Sequence, residues 1–447
     1  MTKIITYGTY DMLHIGHINI LSRAKAQGDY LIVGITSEDY DRSRGKLNVS
    51  QSQKQRLEAV KQLDFVDEVI LETHKKQKQE DMIKYNIDKF VIGDDWVGKF
   101  DYLNEFTKVV YLPRTKGISS TQLRSEKIKN INIGIAGINT DSTRFIKESS
   151  YVKSMDIKSI FVDQNTDEIS NNKELYPKNS YSDYNEFLSS NIDAVYICVD
   201  IKLHYEYIKL ALEQNKHVLC ENPLTLEENQ LEELFDIAKN NNKLLLMAVK
   251  TAFAPAFNKL IDELNVNKVI GDIKEIRATF TSLYEQRGYP KEYIQNGATN
   301  LLMDYPYLLV HKLAGKNTSI NFIDQIENNY DISNRAITKH ENNIVGISTV
   351  GIGMKSNSDA IISGTKGFVH IPAPWWLTKE FKFKFEDTHK EYSFEYEFEG
   401  DGLRYMISEF ISLIQRGKIE STRLTKDDMI ELNKIITQYN KRKNNDI

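Results

Sequence analysis

Two histidines near the start of the chain, His14 and His17, stand three residues apart just after a tight glycine turn. Imidazoles at this spacing can donate hydrogen bonds to a phosphoryl oxygen while negative charge builds on it. A helix start beside them supplies free N–H groups and the positive end of a dipole, which attract polyphosphate. The stretch favours nucleotidyl transfer, although an isolated H-x-x-H is more often an ordinary polar pair at a helix start.

The residues around the histidines predict the elements that position them. The β-branched, apolar run 4–6 predicts a buried strand, and Gly8 lets the backbone pass close to a ligand. After Gly16, apolar residues recur with helical spacing. A strand end and a helix start therefore meet at this turn, which is the local geometry of a phosphate site.

The stretch 6–17 resembles the signature of the cytidylyltransferases, above all glycerol-3-phosphate cytidylyltransferase. Three later stretches, 44–46, 93–101 and 114–121, match that family in order, so the resemblance covers roughly the first 127 residues. It implies direct displacement of pyrophosphate from CTP by a phosphate oxygen, with Mg²⁺ neutralising charge. The residues that would hold this metal ion are unknown.

The same resemblance implies roles for individual residues. His14 and His17 would contact the α-phosphate, and Lys46 and Arg114 would hold the triphosphate. The remaining residues expected at the nucleotide are Thr9, Tyr10, Asp11, Gly16, Arg44, Asp94, Trp96, Ser119 and Thr121. Asp94 would accept from the cytosine amino group, and Ser119 and Thr121 would open a second phosphate-binding helix start. Arg44 replaces a lysine of the family, which allows an acceptor other than glycerol 3-phosphate.

A second strand and turn begins at residue 131, after a short polar joint at 127–130. Its G-x-G-x-x-G pattern is reduced to Gly137, Asn139 and Ser142, and we expect Asn139 to tolerate a left-handed backbone there. Asp163 would bind the adenosine ribose hydroxyls, or simply end its strand. Because no basic residue follows Asp163 before Lys173, NADH is favoured over NADPH.

The stretches 195–199 and 216–224, with His204 between them, resemble the Gfo/Idh/MocA oxidoreductases. This second resemblance runs to the C-terminus and implies an open antiparallel substrate sheet, with β stretches at 272–284, 344–353, 367–372 and 381–398. It also implies a nicotinamide cofactor, NADH or NADPH. The residues expected at the cofactor are Gly134, Gly137, Asn139, Asp163, Glu221 and Asn222.

The sequence departs from that family at positions where the family's catalytic residues are expected. Asn222 stands where the family carries a lysine that contacts the hydroxyl or carbonyl exchanging hydride. Tyr305 matches the family's catalytic His or Tyr and is a credible proton donor, or it only packs. Lys250 ends the apolar run 244–249, on the strand after the one that ends at Glu221. Because sequential strands are usually neighbours, Lys250 could reach the same pocket, or it is a solvated lysine.

Composition limits the class of protein. A chain of 447 residues exceeds what one core usually serves. Its net charge of -5 offers no basic surface for nucleic acid, and two cysteines, Cys198 and Cys220, in apolar runs fit a reduced cytoplasm. No apolar run approaches a membrane span. We expect a cytoplasmic homo-oligomer that binds small molecules and neither nucleic acid nor membrane.

The alternation of strands and helices predicts an α/β protein with two doubly wound parallel-sheet, Rossmann-like domains, followed by an α+β domain with a large open, mostly antiparallel sheet. We place a cytidylyltransferase domain at 1–129, a dinucleotide-binding domain at 130–250 and a substrate and oligomerisation domain at 251–447.

These expectations combine into a bifunctional enzyme that makes a CDP-alditol for capsular or surface polysaccharide. One half transfers CMP to a sugar or polyol phosphate, and the other reduces a ketose carbonyl. Fructose 6-phosphate and CDP-glucitol are the first choices, before ribulose 5-phosphate and dihydroxyacetone phosphate. The alternatives are a non-catalytic second half, a CDP-glycerol-type synthase, or two active halves with unrelated substrates. The order of the two reactions is open.

Overall fold

The computed structural model describes the chain apart from residues 12, 14, 44–48, 50, 75, 114–129, 163–175, 178, 397, 399 and 446–447. The chain divides into two compact units, Met1–Lys129 and Asn130–Ile447. Within the described ranges, no helix combines the length and the apolar composition that a membrane span requires.

The first unit is a five-stranded sheet with the order β3-β2-β1-β4-β5, in which all neighbouring strands are parallel. Alternate residues of a strand point to opposite faces, so Ile4 and Ile5 enter two separate hydrophobic clusters, one on each side of the sheet. The strands are β1 (Lys3–Gly8), β2 (Tyr30–Thr36), β3 (Glu68–Glu72), β4 (Lys89–Gly93) and β5 (Lys108–Leu112), and the helices are α1 (Ile15–Lys25), α2 (Glu38–Ser43), α3 (Gln53–Lys61) and α4 (Gln77–Lys84).

The second unit begins with a six-stranded parallel sheet of order β11-β10-β9-β6-β7-β8. Its central strands are buried on both faces, which explains their continuous apolar sequences. The strands are β6 (Ile131–Ala136), β7 (Met155–Phe161), β8 (Asn179–Tyr181), β9 (Ala194–Ile197), β10 (His217–Cys220) and β11 (Leu245–Met247), and the helices are α5 (Thr140–Ser149), α6 (Tyr184–Ser189), α7 (His204–Glu213) and α8 (Glu228–Asn240).

An eight-stranded sheet of order β13-β14-β15-β12-β16-β17-β18-β19 completes this unit. All neighbouring pairs are antiparallel except β12 and β15. The strands are β12 (Ile273–Thr281), β13 (Asn317–Glu327), β14 (Tyr330–His340), β15 (Val345–Gly351), β16 (Ala360–Gly364), β17 (Gly367–Ile371), β18 (Glu380–Phe385) and β19 (Glu391–Glu395), and the helices are α9 (Pro255–Asn265), α10 (Lys291–Ile294), α11 (Gly297–Leu302), α12 (Asp304–Ala314), α13 (Leu403–Gln415) and α14 (Lys426–Asn445).

The predicted fold class is confirmed, with two differences in detail. The expected single stretch 381–398 is a hairpin, because β18 and β19 pair across the turn between them. The hairpin of β13 and β14 was not among the predicted stretches, and Asn328 and Asn329 form its turn with positive φ. The second helix start, expected at Ser119 and Thr121, lies outside the described residues, and the boundary at residue 250 remains a prediction.

Because each unit has its own sheet and core, we expect chains 1–129 and 130–447, produced separately, to fold independently. Circular dichroism and thermal unfolding of each chain check this, with the intact protein as the control. Loss of cooperative unfolding in both separated chains would contradict it.

Candidate active sites

The turn after β1 places Tyr10 and His17 against each other. Tyr10 has a φ of 50° and is buried, and its ring lies at 80° to the His17 ring, with 5.5 Å between the two centroids. A side chain on Gly8 would stand 2.8 Å from the Tyr10 ring, so only glycine lets this ring fold back over the strand end. Tyr10 therefore fixes one side of His17 at the start of α1.

Arg56 also stabilises the turn after β1, a role that the sequence analysis did not predict. Its side chain is fully buried, and its Nη1 donates to the carbonyls of Thr9 at 2.7 Å and Thr36 at 2.9 Å. The carboxylate of Asp41 lies 3.5 Å from this guanidinium and also accepts from the Thr9 hydroxyl at 3.1 Å. Arg56 thus connects the ends of β1 and β2. In the sequence of α3, nothing distinguishes this buried arginine from a solvent-exposed one.

Asp11 is also part of this arrangement. It is buried, and its carboxylate accepts from the backbone N–H of Gln51 at 2.9 Å. This bond joins the turn after β1 to the segment that leads into α3. The predicted nucleotide-contacting stretch is therefore anchored through its own side chains.

Asp94 and Trp96 follow β4 directly, and β4 pairs with β1. Since the carboxyl ends of parallel neighbours share one edge, these residues lie at the edge that also carries the turn after β1. Asp94 is exposed, Trp96 is 43% exposed, and the Lys99 ammonium stands 5.1 Å from the Trp96 ring centroid. An open carboxylate and an open aromatic ring suit recognition of a base.

Several predicted residues of the first unit lie outside the described residues: His14, Arg44, Lys46, Arg114, Ser119 and Thr121. Their roles remain predictions, and so does the His14–His17 pair. The structure brings the other predicted residues, including Gly16 at the start of α1, to the carboxyl edge of the sheet. The described part of the chain contains no cluster of three or more metal-ligating side chains, so the metal ligands stay unassigned.

In the second unit, Gly137 forms the turn after β6. Its φ is 106°, and a Cβ there would lie 2.9 Å from the carbonyl carbon and oxygen of Cys198. The expectation that Asn139 takes a left-handed backbone is wrong, because its φ is -163°, which any residue adopts. The missing side chain of Gly134 makes room for Phe187, whose ring would lie 2.5 Å from a Cβ.

Asn139 caps helix α5. Its side-chain oxygen accepts from the backbone N–H groups of Asp141 at 2.9 Å and Ser142 at 3.0 Å, and its amide donates to the carbonyl of Cys198 at 2.6 Å. The Ser142 hydroxyl in turn accepts from the backbone of Asn139, which completes a capping box. The asparagine thus ties the turn to the end of β9.

Beyond this turn, Glu221 directly follows β10, and Lys250 begins a short 3₁₀ turn three residues after the end of the neighbouring strand β11. Lys250 is 8% exposed, and burial, followed by the nearby charge of Arg144, lowers its pKa to about 8. Burial and then Asp141 raise the pKa of Glu221 to about 8, while the Tyr196 hydroxyl donates to its carboxylate. The predicted closeness of Lys250 to the pocket at Glu221 agrees with this placement, and both groups can exchange protons near neutral pH.

Asn222 and Asp304 face each other beside this cluster. The Asn222 amide nitrogen and both Asp304 carboxyl oxygens are buried without a well-formed hydrogen bond among the described residues. Burial raises the pKa of Asp304 to about 8, and the amide of Asn222 opposes that rise. Asn222 therefore supplies no cation here, as its residue type predicts.

Tyr305 both packs and faces the cluster. Its ring contacts Phe280 edge-on at 5.2 Å between centroids, and burial followed by the charge of Glu221 raises its pKa. Sequence reasoning did not name the four further charged residues that meet here, because only tertiary structure joins their distant segments: Asp141, Arg144, Asp304 and Asp401. Asp163 lies outside the described residues.

Residues 5–129 match the family model described as cytidylyltransferase-like. Over 126 residues the chain is 49% identical to glycerol-3-phosphate cytidylyltransferase of Bacillus subtilis, which is 28% of this chain and 97% of that protein. The chain belongs to the cytidylyltransferase-like family. The first resemblance predicted from the sequence is confirmed.

The rest of this transferase chain is a fused oxidoreductase. Residues 131–249 match the model of the oxidoreductase family with an NAD-binding Rossmann fold, the Gfo/Idh/MocA family. The chain is 27% identical over 256 residues to trans-1,2-dihydrobenzene-1,2-diol dehydrogenase of Xenopus tropicalis, covering 54% of this chain and 76% of that protein. The second predicted resemblance is confirmed.

A solved structure shares the fold of the oxidoreductase. It is KijD10, a 3-ketoreductase from Actinomadura kijaniata in complex with NADP and TDP-benzene, with a TM-score of 0.61 and 20% identity, covering 69% of this chain and 96% of that chain. No finding supports the expected preference for NADH, which remains a prediction.

The turn after β6 fits a nicotinamide dinucleotide. Gly137 brings the backbone close to the start of α5, where the site of a pyrophosphate is expected, and Glu221 and Asn222 line the same edge. Two N–H groups of the helix start are already bonded to Asn139, so fewer donors stay available than after a glycine-only turn.

We expect Gly137→Ala to weaken NAD(P)H binding by at least tenfold, because its Cβ would displace the Cys198 carbonyl. Asn139→Gly is the matched variant, and it should bind at least as tightly as the wild type, since it releases two N–H donors. Titration of nicotinamide fluorescence measures both. Equal affinity in Gly137→Ala and wild type would contradict the assignment of this turn.

Proposed function

We propose that the fusion enzyme makes a CDP-alditol by reducing a ketose phosphate and transferring CMP from CTP to the phosphate of the same carbon skeleton. The observation that carries this proposal is the covalent union of the two enzyme types in one chain. The transferase relative is named for glycerol 3-phosphate, a polyol phosphate. Reduction of a ketose phosphate yields a compound of that class, so one substrate serves both halves.

In the transferase unit, the proposed nucleotide site lies at the carboxyl edge shared by β1 and β4. His17, whose ring packs against Tyr10, would donate to the α-phosphate while the charge of that phosphate increases. Asp94 and Trp96 would bind the cytosine base at the open edge. Mg²⁺ would neutralise the triphosphate, and His14, Lys46 and Arg114 are proposed to assist.

In the oxidoreductase, the reaction needs a proton for the oxygen of the reduced carbonyl. The nicotinamide cofactor would supply the hydride to the carbonyl carbon. Lys250 would give the proton to the developing alkoxide, because its buried ammonium has a pKa of about 8 and is charged near neutral pH. Tyr305 is the second candidate, and burial keeps its hydroxyl protonated.

Fructose 6-phosphate is our first choice of ketose and CDP-glucitol our first product, followed by ribulose 5-phosphate and dihydroxyacetone phosphate. Such products would supply surface or capsular polymers. A second candidate function is a cytidylyltransferase with a non-catalytic second half, favoured by Asn222 and by the capped helix start at Asn139. Against it stand Lys250 and Glu221, because ionisable groups are costly to bury without use.

Incubation with CTP, Mg²⁺, NADH or NADPH and a panel of ketose phosphates tests the proposal, with products identified by mass spectrometry. A CDP-alditol that forms only when both CTP and reduced cofactor are present is the expected result. Consumption of CTP with polyol phosphates alone, and no cofactor oxidation with any ketose phosphate, would favour the non-catalytic second half.

Single variants should separate the two reactions. We expect His17→Ala to slow pyrophosphate release by roughly a hundredfold or more while ketose reduction continues, since an oxyanion-type donor is lost. Lys250→Met should slow reduction and spare pyrophosphate release. The exposed His74, replaced by Ala, is the control for loss of an imidazole. Equal losses of pyrophosphate release and of the reduction of preformed CDP-ketose in a folded His17→Ala protein would contradict the assignment of separate sites.

A further inference from the structure

The loop that precedes α13 brings a carboxylate to the proposed proton donor. Asp401 lies between Gly400 and Gly402, whose φ angles are 63° and 91°. A Cβ on Gly400 would stand 2.3 Å from the Glu148 carboxylate, and one on Gly402 would stand 3.7 Å from the Lys250 side chain. Gly400 therefore lets this loop lie closely against α5, and Gly402 places it in ordinary contact range of Lys250.

Asp401 is shared unequally between two cations. Its Oδ2 accepts from Arg144 Nε at 2.9 Å and Nη2 at 2.5 Å, and its Oδ1 accepts from the backbone of Leu403 at 3.2 Å. The Lys250 ammonium stands 3.8 Å from the same Oδ2, which is too far for a hydrogen bond. Arg144 thus holds the carboxylate, and Lys250 receives only its electrostatic attraction.

A second ion pair holds the same elements together. Arg404 donates to Glu148 through Nε at 2.8 Å and Nη2 at 3.2 Å, which joins the first turn of α13 to α5. This contact does not involve Asp401. The loop therefore has an anchor that remains when the charge of Asp401 is removed.

The charged groups that act on Lys250 come from three directions. Arg144 and Asp141 lie on α5, Asp401 comes from the loop before α13, and Glu221 follows β10. Burial raises the pKa values of Asp141 and Glu221, so a smaller fraction of each carboxyl group is ionised near neutral pH. For Asp401, burial acts in the opposite direction to Lys250 and Arg144, and these cations hold its pKa below the usual range. Among the neighbouring charges, Arg144 and Asp401 therefore have the largest electrostatic effects on the Lys250 ammonium, and these effects are opposite in sign.

We propose that Arg144 and Asp401 are positioning residues that set how readily Lys250 releases its proton, with Arg144 withholding the Asp401 carboxylate from the lysine. This inference rests on the proposed role of Lys250 in ketose reduction. Neither residue needs to touch the ketose. Their effect is exerted through the charge and position of the lysine ammonium.

The two residues have opposite signs, which makes the proposal testable. Asp401→Asn removes the nearest carboxylate from Lys250 and leaves Arg144 paired, among the described residues, only with Asp141, at 3.3 Å, so the pKa of Lys250 should fall. Arg144→Gln releases the Asp401 carboxylate to the lysine, so the pKa of Lys250 should rise. Each shift should be about one unit, since a charge within a few ångströms moves a buried pKa by that order. A proton donor loses activity above its pKa, so the alkaline limb of reductive kcat should move in the same directions.

Competitive labelling of the full chain with acetic anhydride, followed by peptide mass spectrometry across pH, reports the pKa of Lys250 without any ketose. The control is Glu213→Gln, which removes an exposed carboxylate at the end of α7 and should leave the pKa of Lys250 unchanged. Circular dichroism verifies folding, and if Asp401→Asn fails to fold, Arg144→Gln carries the test by its upward shift.

The outcomes separate this inference from the proposed function. Opposite shifts in labelling together with no reduction of any ketose would support the charge pair and overturn the reductase assignment. Reduction with unshifted labelling and pH profiles in both variants would overturn the charge pair and keep the reductase. Shifts of the same sign in Asp401→Asn and Arg144→Gln, or an equal shift in Glu213→Gln, would also overturn it.

Discussion

Parallel pairing of neighbouring strands brings their carboxyl ends to one edge, and both candidate sites depend on this constraint. In the transferase unit, the pairing of β1 with β4 brings the turn before His17 to the same edge as Asp94. In the oxidoreductase, the pairing of β10 with β11 does the same for Glu221 and Lys250. Residues far apart in the chain become neighbours because the sheet is parallel, before any side-chain contact is considered.

Buried charged residues then hold the loops at each edge, and they differ in how closely they are paired with groups of opposite charge. Arg56 donates hydrogen bonds to two carbonyls and lies 3.5 Å from Asp41, so it supports the transferase turn, although its second terminal nitrogen is buried without a hydrogen bond to any described residue. Lys250 has no hydrogen-bonded counterion among the described residues, only a carboxylate at 3.8 Å. A supporting charge gains from close pairing, whereas the proposed proton donor is paired more loosely.

The fold could be predicted from the sequence because strand and helix periodicities alternate clearly, and the family motifs predicted the same division. Candidate site residues beside a motif, such as His17 or Glu221, could be proposed for the same reason. Arg56, Arg144 and Asp401 were missed, because a charged residue in a helix or glycine loop carries no pattern that separates a buried partner from a solvated one. Asn139 shows a further limit, since it substitutes for a glycine by capping a helix rather than by adopting a positive φ.

The Gly400–Gly402 loop has a consequence for the order in which the two activities arise during synthesis. Domains generally fold as units from the N-terminus as the ribosome releases them. The transferase unit ends at Lys129 and can complete its edge early. The carboxylate that borders Lys250 comes from Asp401, so the set of charges around Lys250 is incomplete until the segment before α13 has been synthesised. The transferase edge can therefore form in a nascent chain before the charged cluster at Lys250 does.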